Sequence, residues 1–422
     1  MQMQMQSSRA KRKDAPELPS PLSTRQKTTH TTTTSTPPPP PPPPHLRLYR
    51  HALESIFSHL DLTELGQVSV VCRSWSAAVI SMRPIGARFS SKPVRELHAL
   101  NSRLLVRHVS MLRISCGEMR ALALPRLCGI IRQSKLLSAM DLGRGLLGDK
   151  SVAIIAEAIK KSKSLAAVEL STNRIEHRGA SVLADAIRQS KSLVAVGLSY
   201  NSIGDRGALA LAKAIKQSKS LEEVDLNDNQ IGTVGISALV DAIKHSSSLI
   251  AVNLSCNSID PPGVAAIAEA IAQSRSLAKV ELDHNAVGNE GAVLIADAIK
   301  QNKTLKWLAL DSTSIGDAGA IALAEAIKQS TSLTNIDLHN NSISDVGALA
   351  LADAIKHSTT LEHVTLSLNN VGDKGAFALA EAIKQSKSIT KVYWNNNSIG
   401  DAGDAALTEA MMSKQNKETT KK

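Results

Sequence analysis

The sequence predicts an α/β solenoid, with a parallel inner sheet and outer helices, preceded by a small all-α bundle and an unstructured N-terminus. Three observations predict it. Apolar residues recur at a fixed step of 28, at Leu137, Leu165, Leu193, Leu221, Leu249, Leu277, Leu305, Leu333, Leu361 and Ile389. Within each unit the apolar pattern switches from period two to a helical period. Finally, 43% of the 422 residues are hydrophobic but only 2% aromatic, so the core must be built from Leu, Ile, Val and Ala, which suits a repeated fold.

Residues 1–45 read as a Pro/Thr-rich tail, too poor in large apolar groups to offset the entropy of ordering. Pro37 to Pro44 form an unbroken run that should adopt a polyproline II rod. Such a rod is a contact for SH3, WW or profilin-like surfaces, or a stiff spacer. Lys11-Arg12-Lys13 is either a nuclear address or a solvated charge run.

Residues 46–84 carry two helical stripes. Leu53, Ile56, Phe57 and Leu60 form the first; Leu65, Val68, Val71, Cys72, Trp75 and Val79 form the second. Asp61 with Glu64 gives a helix N-cap at the break. A bundle this small needs a partner or a neighbouring domain. The segment resembles an F-box: Leu48, Leu53, Ile56, Phe57, Leu60, Asp61, Leu62, Leu65, Val68, Val71, Cys72 and Trp75 fall at that family's spacings, and Tyr49 stands where the family has proline. The resemblance implies docking onto the Skp-type adaptor of a cullin ubiquitin ligase. Its contacts or bundle core would be Leu48, Leu53, Ile56, Phe57, Leu60, Leu65, Val71 and Trp75.

Residues 85–136 read as a join and a degenerate capping repeat, with a strand around Val109, Leu112 and Ile114 and a helix through Leu127 and Ile131. Residues 137–412 hold ten regular units, and 413–422 a basic tail. In each unit L-x-x-V-x-L is a short strand. An Asn eight residues after the first Leu should bond the backbone of its own and the neighbouring turn. Gly145 and Thr313 replace that Asn, and looser turns are expected there. The units resemble ribonuclease-inhibitor-class leucine-rich repeats, which implies a horseshoe with the sheet inside.

Charge is unevenly placed. The net +11 comprises a basic front, an acidic body with thirty Asp/Glu against twenty-five Lys/Arg over 137–413, and a basic end. An acidic body makes nucleic acid an improbable partner despite the basic total. No apolar run reaches membrane-spanning length and the N-terminus lacks a signal core, so an intracellular protein, cytoplasmic or nuclear, is expected. Four cysteines without a CxxC pair fit a reducing compartment.

The outward strand positions should line the concave face. Candidate partner-binding residues there are Glu223, Asp225, Asp228, Glu281, Asp283, Trp307, Asp311, Asp337, His339, His363 and Tyr393, suited to a protein carrying a basic segment. The early units present Ala139, Ala167, Ala195 and Gly197 and look nearly featureless. Catalytic, cofactor and metal sites are not expected. There is no GxxxxGK[ST], Asp283 and His284 diverge along a strand, and His284, His339 and His363 fall out of register. Taken together, the two resemblances imply a non-catalytic substrate receptor of an SCF-type ubiquitin ligase. Two alternatives stand beside it: a repeat scaffold unrelated to ubiquitin, and a chain resembling Ran GTPase-activating proteins, with Arg174 or Arg206 as a loop arginine.

Overall fold

The computed structural model describes residues 85–89, 109–114 and 124–419. In chain order the elements are β1 (Ile85–Phe89), β2 (Val109–Ile114), α1 (Leu124–Gln133), β3 (Ala139–Asp141), α2 (Gly148–Lys161), β4 (Ala167–Glu169), α3 (His177–Gln189), β5 (Ala195–Gly197), α4 (Gly204–Gln217), β6 (Glu223–Asp225) and α5 (Thr233–His245). They continue as β7 (Ala251–Asn253), α6 (Pro261–Gln273), β8 (Lys279–Glu281), α7 (Gly288–Gln301), β9 (Trp307–Ala309), α8 (Asp317–Gln329), β10 (Asn335–Asp337), α9 (Asp345–His357), β11 (His363–Thr365), α10 (Asp373–Gln385), β12 (Lys391–Tyr393) and α11 (Asp401–Thr419).

The twelve strands make one parallel sheet in strict sequence order. Register advances by one unit per strand: Ala139 pairs Ala167, Ala167 pairs Ala195, and so on to His363 with Lys391. From β3 to β12 each strand buries its middle residue, such as Val168 or Val196, between two outward-facing neighbours, and β9 buries Ala309 as well. Strands sit about 4.8 Å apart while packed helices need about 8–10 Å. Stacking the units therefore bends the solenoid with the sheet on its concave side.

The core is aliphatic throughout. In α4, Ala208, Leu211, Ala212, Ala214 and Ile215 are buried, and every regular unit repeats this set with small changes. Two features differ from the sequence reading. A strand, β1, lies inside the segment read as a join and pairs with β2. The last helix runs on to Thr419, through residues read as a tail.

The buried Asn column closes the turns. Asn201 Nδ2 donates to the carbonyls of Leu170 (3.2 Å), Leu198 (2.8 Å) and Ser199 (3.1 Å), and its Oδ1 accepts from the amides of Asn173 and Ile175, both at 2.9 Å. The turn at Thr313 is not loose. Thr313 is fully buried, and its hydroxyl donates to the Leu310 carbonyl at 2.7 Å, the bond an Asn amide makes elsewhere. Lacking an Asn Oδ1 to reach, the Val287 amide turns to its own neighbour, the Asn285 carbonyl, at 3.0 Å. At Gly145 the regular contact from the next unit remains: Asn173 Oδ1 accepts from the Gly145 amide at 3.0 Å, as Asn201 Oδ1 does from the Asn173 amide. The hydroxyl thus ties the turn at Thr313 to the Leu310 carbonyl.

Candidate functional site

The F-box-like positions Leu48, Leu53, Ile56, Phe57, Leu60, Leu65, Val71 and Trp75 lie outside the described residues, as does Pro37–Pro44. The sheet face is described from β3 to β12, and the eleven concave-face candidates fall on it in three columns and a rim.

Glu223, Trp307 and His363 occupy the first outward position of their strands; Asp225, Glu281, Asp337 and Tyr393 the second; Asp283, Asp311 and His339 the position just past the strand. Asp228 sits one residue further, on the rim. That rim position has positive φ in every regular unit, from Arg144 (60°) through Tyr200 (55°), Asp228 (51°), Cys256 (53°) and His284 (55°) to Asn396 (57°). The conformation turns the side chain out of the sheet and into solvent. It exposes Tyr200 by 54%, a residue absent from the sequence-based set. The signal was available: the residue before each buried Asn must turn the chain.

The middle of the face gathers carboxylates. Asp283 Oδ1 accepts from the Asp311 amide at 2.8 Å, and Asp337 Oδ1 accepts from the His339 amide at 2.9 Å. Burial, with Asp311, Asp337 and Glu281 close by, pushes the Asp283 carboxyl up to about 6. Burial and Asp311 raise Asp337 as well. His284 Nε2 lies 4.0 Å from Asp311 Oδ2 in the next unit, so its carboxylate neighbour is not the adjacent Asp283. Asp225 Oδ1 accepts from the Asn227 amide at 3.0 Å, and its other oxygen accepts from the Ser199 hydroxyl.

The aromatic candidates are exposed but separate. Trp307 is 38% and Tyr393 48% accessible, on strands three apart, so they cannot hold one side chain between them. Lys279 Nζ stands 5.7 Å from the Trp307 ring centre and pairs with Glu281 at 2.8 Å. His363 Nε2 lies 3.4 Å from the Thr390 hydroxyl, while its Nδ1 is buried without a partner. The early units are less featureless than their composition suggests. Ala139, Ala167, Ala195 and Gly197 floor a depression of ≈ 330 Å³ that ends at Glu223 and Asp225.

Of the two arginines noted in the sequence, Arg174 is on a turn with φ 57°, whereas Arg206 lies inside α4 and not on a loop. Among the described residues no three His, Cys, Asp or Glu side chains are disposed to hold a metal ion. No helix among them is long and apolar enough to cross a membrane.

The F-box domain family matches residues 45–85. The Leucine Rich repeat family matches seven segments, 189–212, 217–240, 245–268, 273–296, 301–324, 329–352 and 357–380, at the 28-residue step. No curated protein matches. Among solved structures, the chain resembles one in the crystal structure of the Rad7 and Elc1 complex in yeast, with a TM-score of 0.53 and 14% identity over 85% of this chain and 89% of that one. It also resembles an internalin from Listeria monocytogenes (TM-score 0.45, 14% identity, 79% and 86% covered) and the tropomodulin C-terminal domain of Caenorhabditis elegans (TM-score 0.32, 16% identity, 37% and 96% covered). The likeness to the Rad7 and Elc1 structure is one of fold. The chain is an F-box protein whose following region is a leucine-rich-repeat solenoid.

Proposed function

We propose that this chain is the non-catalytic substrate-recognition subunit of an SCF-type cullin ubiquitin ligase, working inside the cell. The carrying observation is the F-box match over 45–85 directly ahead of a repeat solenoid with an open, chemically varied sheet face. In this reading the F-box docks the Skp-type adaptor through Leu48, Leu53, Ile56, Phe57, Leu60, Leu65, Val71 and Trp75. The sheet face holds the substrate. The protein makes no bond itself; it raises the effective concentration of a target lysine near the ligase's conjugating enzyme. The fold likeness to a chain from the Rad7 and Elc1 complex supports a solenoid that operates within an assembly.

The substrate surface is the acidic middle of the face, Glu223, Asp225, Asp228, Glu281, Asp283, Asp311 and Asp337, flanked by Trp307, His339, His363 and Tyr393. Crowded carboxylates that resist ionisation, as at Asp283, gain most from an incoming cation, so a basic segment of the substrate fits there.

The test is co-purification of the full chain with a Skp-type adaptor, beside an Ile56→Ala/Phe57→Ala variant whose solenoid still melts cooperatively. Adaptor retained by the wild type and lost by the variant supports the reading. A folded wild type that fails to bind at micromolar concentrations would point to Tyr49 disabling the docking face, leaving a scaffold without ubiquitin chemistry.

A further inference from the structure

The edge of the solenoid where each helix hands over to the next strand carries a row of cations. The loop tips after α1 to α7, one per unit, are Lys135, Lys163, Lys191, Lys219, Ser247, Arg275 and Lys303, whereas the next two units carry Thr331 and Thr359 and end the row. All seven are exposed, and none of the six cations forms an ion pair among the described residues. This sets them apart from the lysines in the last helical turn. Lys160 pairs with Glu157 at 2.6 Å, Lys216 with Asp241 at 2.9 Å and Lys244 with Glu269 at 2.7 Å. The helix macrodipole explains a cation in that last turn, but its effect fades beyond it, where the loop tips stand.

The loops present these side chains from a fixed backbone. The buried Ser162 Oγ accepts from the amides of Ser164 (3.4 Å) and Leu165 (3.2 Å), which clamps the tip at Lys163. Ser190, Ser218, Ser246 and Ser274 repeat this, and Asn302 does the same through its amide oxygen.

Two substitutions in the repeat open a groove in this edge. Ser247 replaces a loop-tip lysine, and Ala272 replaces the last-turn cation found in α2 to α5 and in α7. The space they vacate is a groove of ≈ 950 Å³ across the loops after α5, α6 and α7, walled by Lys244, His245, Arg275 and Lys303.

We propose that this edge is a second interaction surface that takes an acidic protein segment in extended conformation, seated in the groove between Arg275 and Lys303 and running along the row. The surface is distinct from the sheet face and does not rest on the ubiquitin reading. Spacing supports an extended chain: from Lys135 to Lys303 every unit but that of Ser247 offers one cation, with units between about 5 Å apart at the sheet and about 10 Å at the helices. Alternate residues of an extended peptide recur about every 6.7 Å on one side, which matches one carboxylate per unit. Charge distribution favours a short acidic segment over nucleic acid. The cations form a single row on a body that is net negative over 137–413, which repels a long polyanion.

The test uses the full chain and a fluorescein-labelled peptide of alternating Glu and Ala, read by anisotropy at physiological ionic strength, with a short DNA duplex in parallel. Arg275→Gln/Lys303→Gln should weaken peptide binding at least ~10-fold. Ala272→Leu, which fills the groove without changing charge, should weaken it as well. Lys213→Gln/Lys374→Gln, which removes the same charge from exposed helix positions, should leave it unchanged. Equal losses in both double variants would reduce the effect to diffuse attraction and overturn the site. No binding of the peptide, or tighter binding of the duplex through Arg275 and Lys303, would overturn the proposed ligand.

Discussion

Asp205 caps a helix that is not its own. Its Oδ1 accepts from the amides of Gly232 (2.8 Å) and Gly235 (3.0 Å), at the start of α5, one unit further along the chain. Asp317 does the same for Ser344 and Gly347, and Asp345 for Gly372 and Gly375. The acceptor must approach closely: a Cβ on Gly235 would meet Asp205 Oδ1 at 2.8 Å. Units with an acceptor at this position thus satisfy the orphan amides of the next, which couples neighbours through more than apolar packing. Asp205→Ala should cost about 1 kcal/mol in chemical denaturation, the usual worth of a helix cap.

Where the preceding unit has no carboxylate or amide to lend, the helix begins differently. His177 and Pro261 occupy the capping position ahead of α4 and α7. Those helices start one residue earlier, on Gly204 (φ 56°) and Gly288 (φ 60°). A left-handed start suits only glycine at low cost. Gly204→Ala should therefore destabilise by about 1–2 kcal/mol although open space surrounds the site. An unchanged denaturation midpoint would show that the turn can relax to the extended start seen at Gly232.

This capping was the part of the fold least visible in the sequence. The alternation around Val168 and the helical spacing of Leu211 and Ile215 are local, and they predict strand and helix directly. The Asn column was legible because one side chain recurs at one place and has a single plausible job. Asp205 recurs as well, yet its partners lie 27 and 30 residues away, and sequence spacing does not say that helix starts line up across units. Thr313 departs from the Asn pattern in sequence, yet its hydroxyl reaches the same carbonyl, which only the packed turn reveals. On the sheet face, membership of the columns was legible from the period of two. The crowding of Asp283 against Asp311 was not, since it depends on burial and on register between units.

The Asn column should be costly to cut. Asn201→Ala would strand the amides of Asn173 and Ile175, both buried, and remove donors from three carbonyls. A loss of at least ~2 kcal/mol is expected, with early loss of hydrogen-exchange protection in the turns around Asn173 and Asn201. Thr313→Val, which removes one donor from the Leu310 carbonyl and keeps the shape, should cost less, about 1 kcal/mol.

Asp283 makes stability depend on pH. An unfolded aspartate loses its proton near pH 4, whereas the folded one holds it to about 6. Between these values the folded state binds the extra proton, so stability falls as pH rises through the window and stays lower above it. Asp283→Asn keeps an oxygen to accept from the Asp311 amide and removes the charge. It should stabilise the protein at pH 7 by about 1 kcal/mol, allowing for solvent screening at a half-open site, and the gain should vanish near pH 4. Urea titrations of both proteins across this range measure it directly.

The aromatic residues of the sheet face are predicted to act through their exposure, and Lys279 sets a limit on one of them. Trp307 is the largest accessible ring among the acids, but Lys279 stands over it while bound to Glu281. A basic partner must either stack on the ring's remaining surface or displace that lysine. Trp307→Ala together with Tyr393→Ala should weaken binding of a lysine-rich peptide by at least ~2 kcal/mol if the two rings are anchors. Lys279→Gln removes a like charge from the approach and frees the ring, so it should tighten the same peptide by several tenths of a kcal/mol up to ~1, and less at high salt. Calorimetric titration separates the cases. Tightening in Lys279→Gln that disappears when Trp307 is also replaced places the partner's cation on the ring. Tightening that survives the loss of Trp307 assigns the gain to the carboxylates of Glu281 and Asp283 alone.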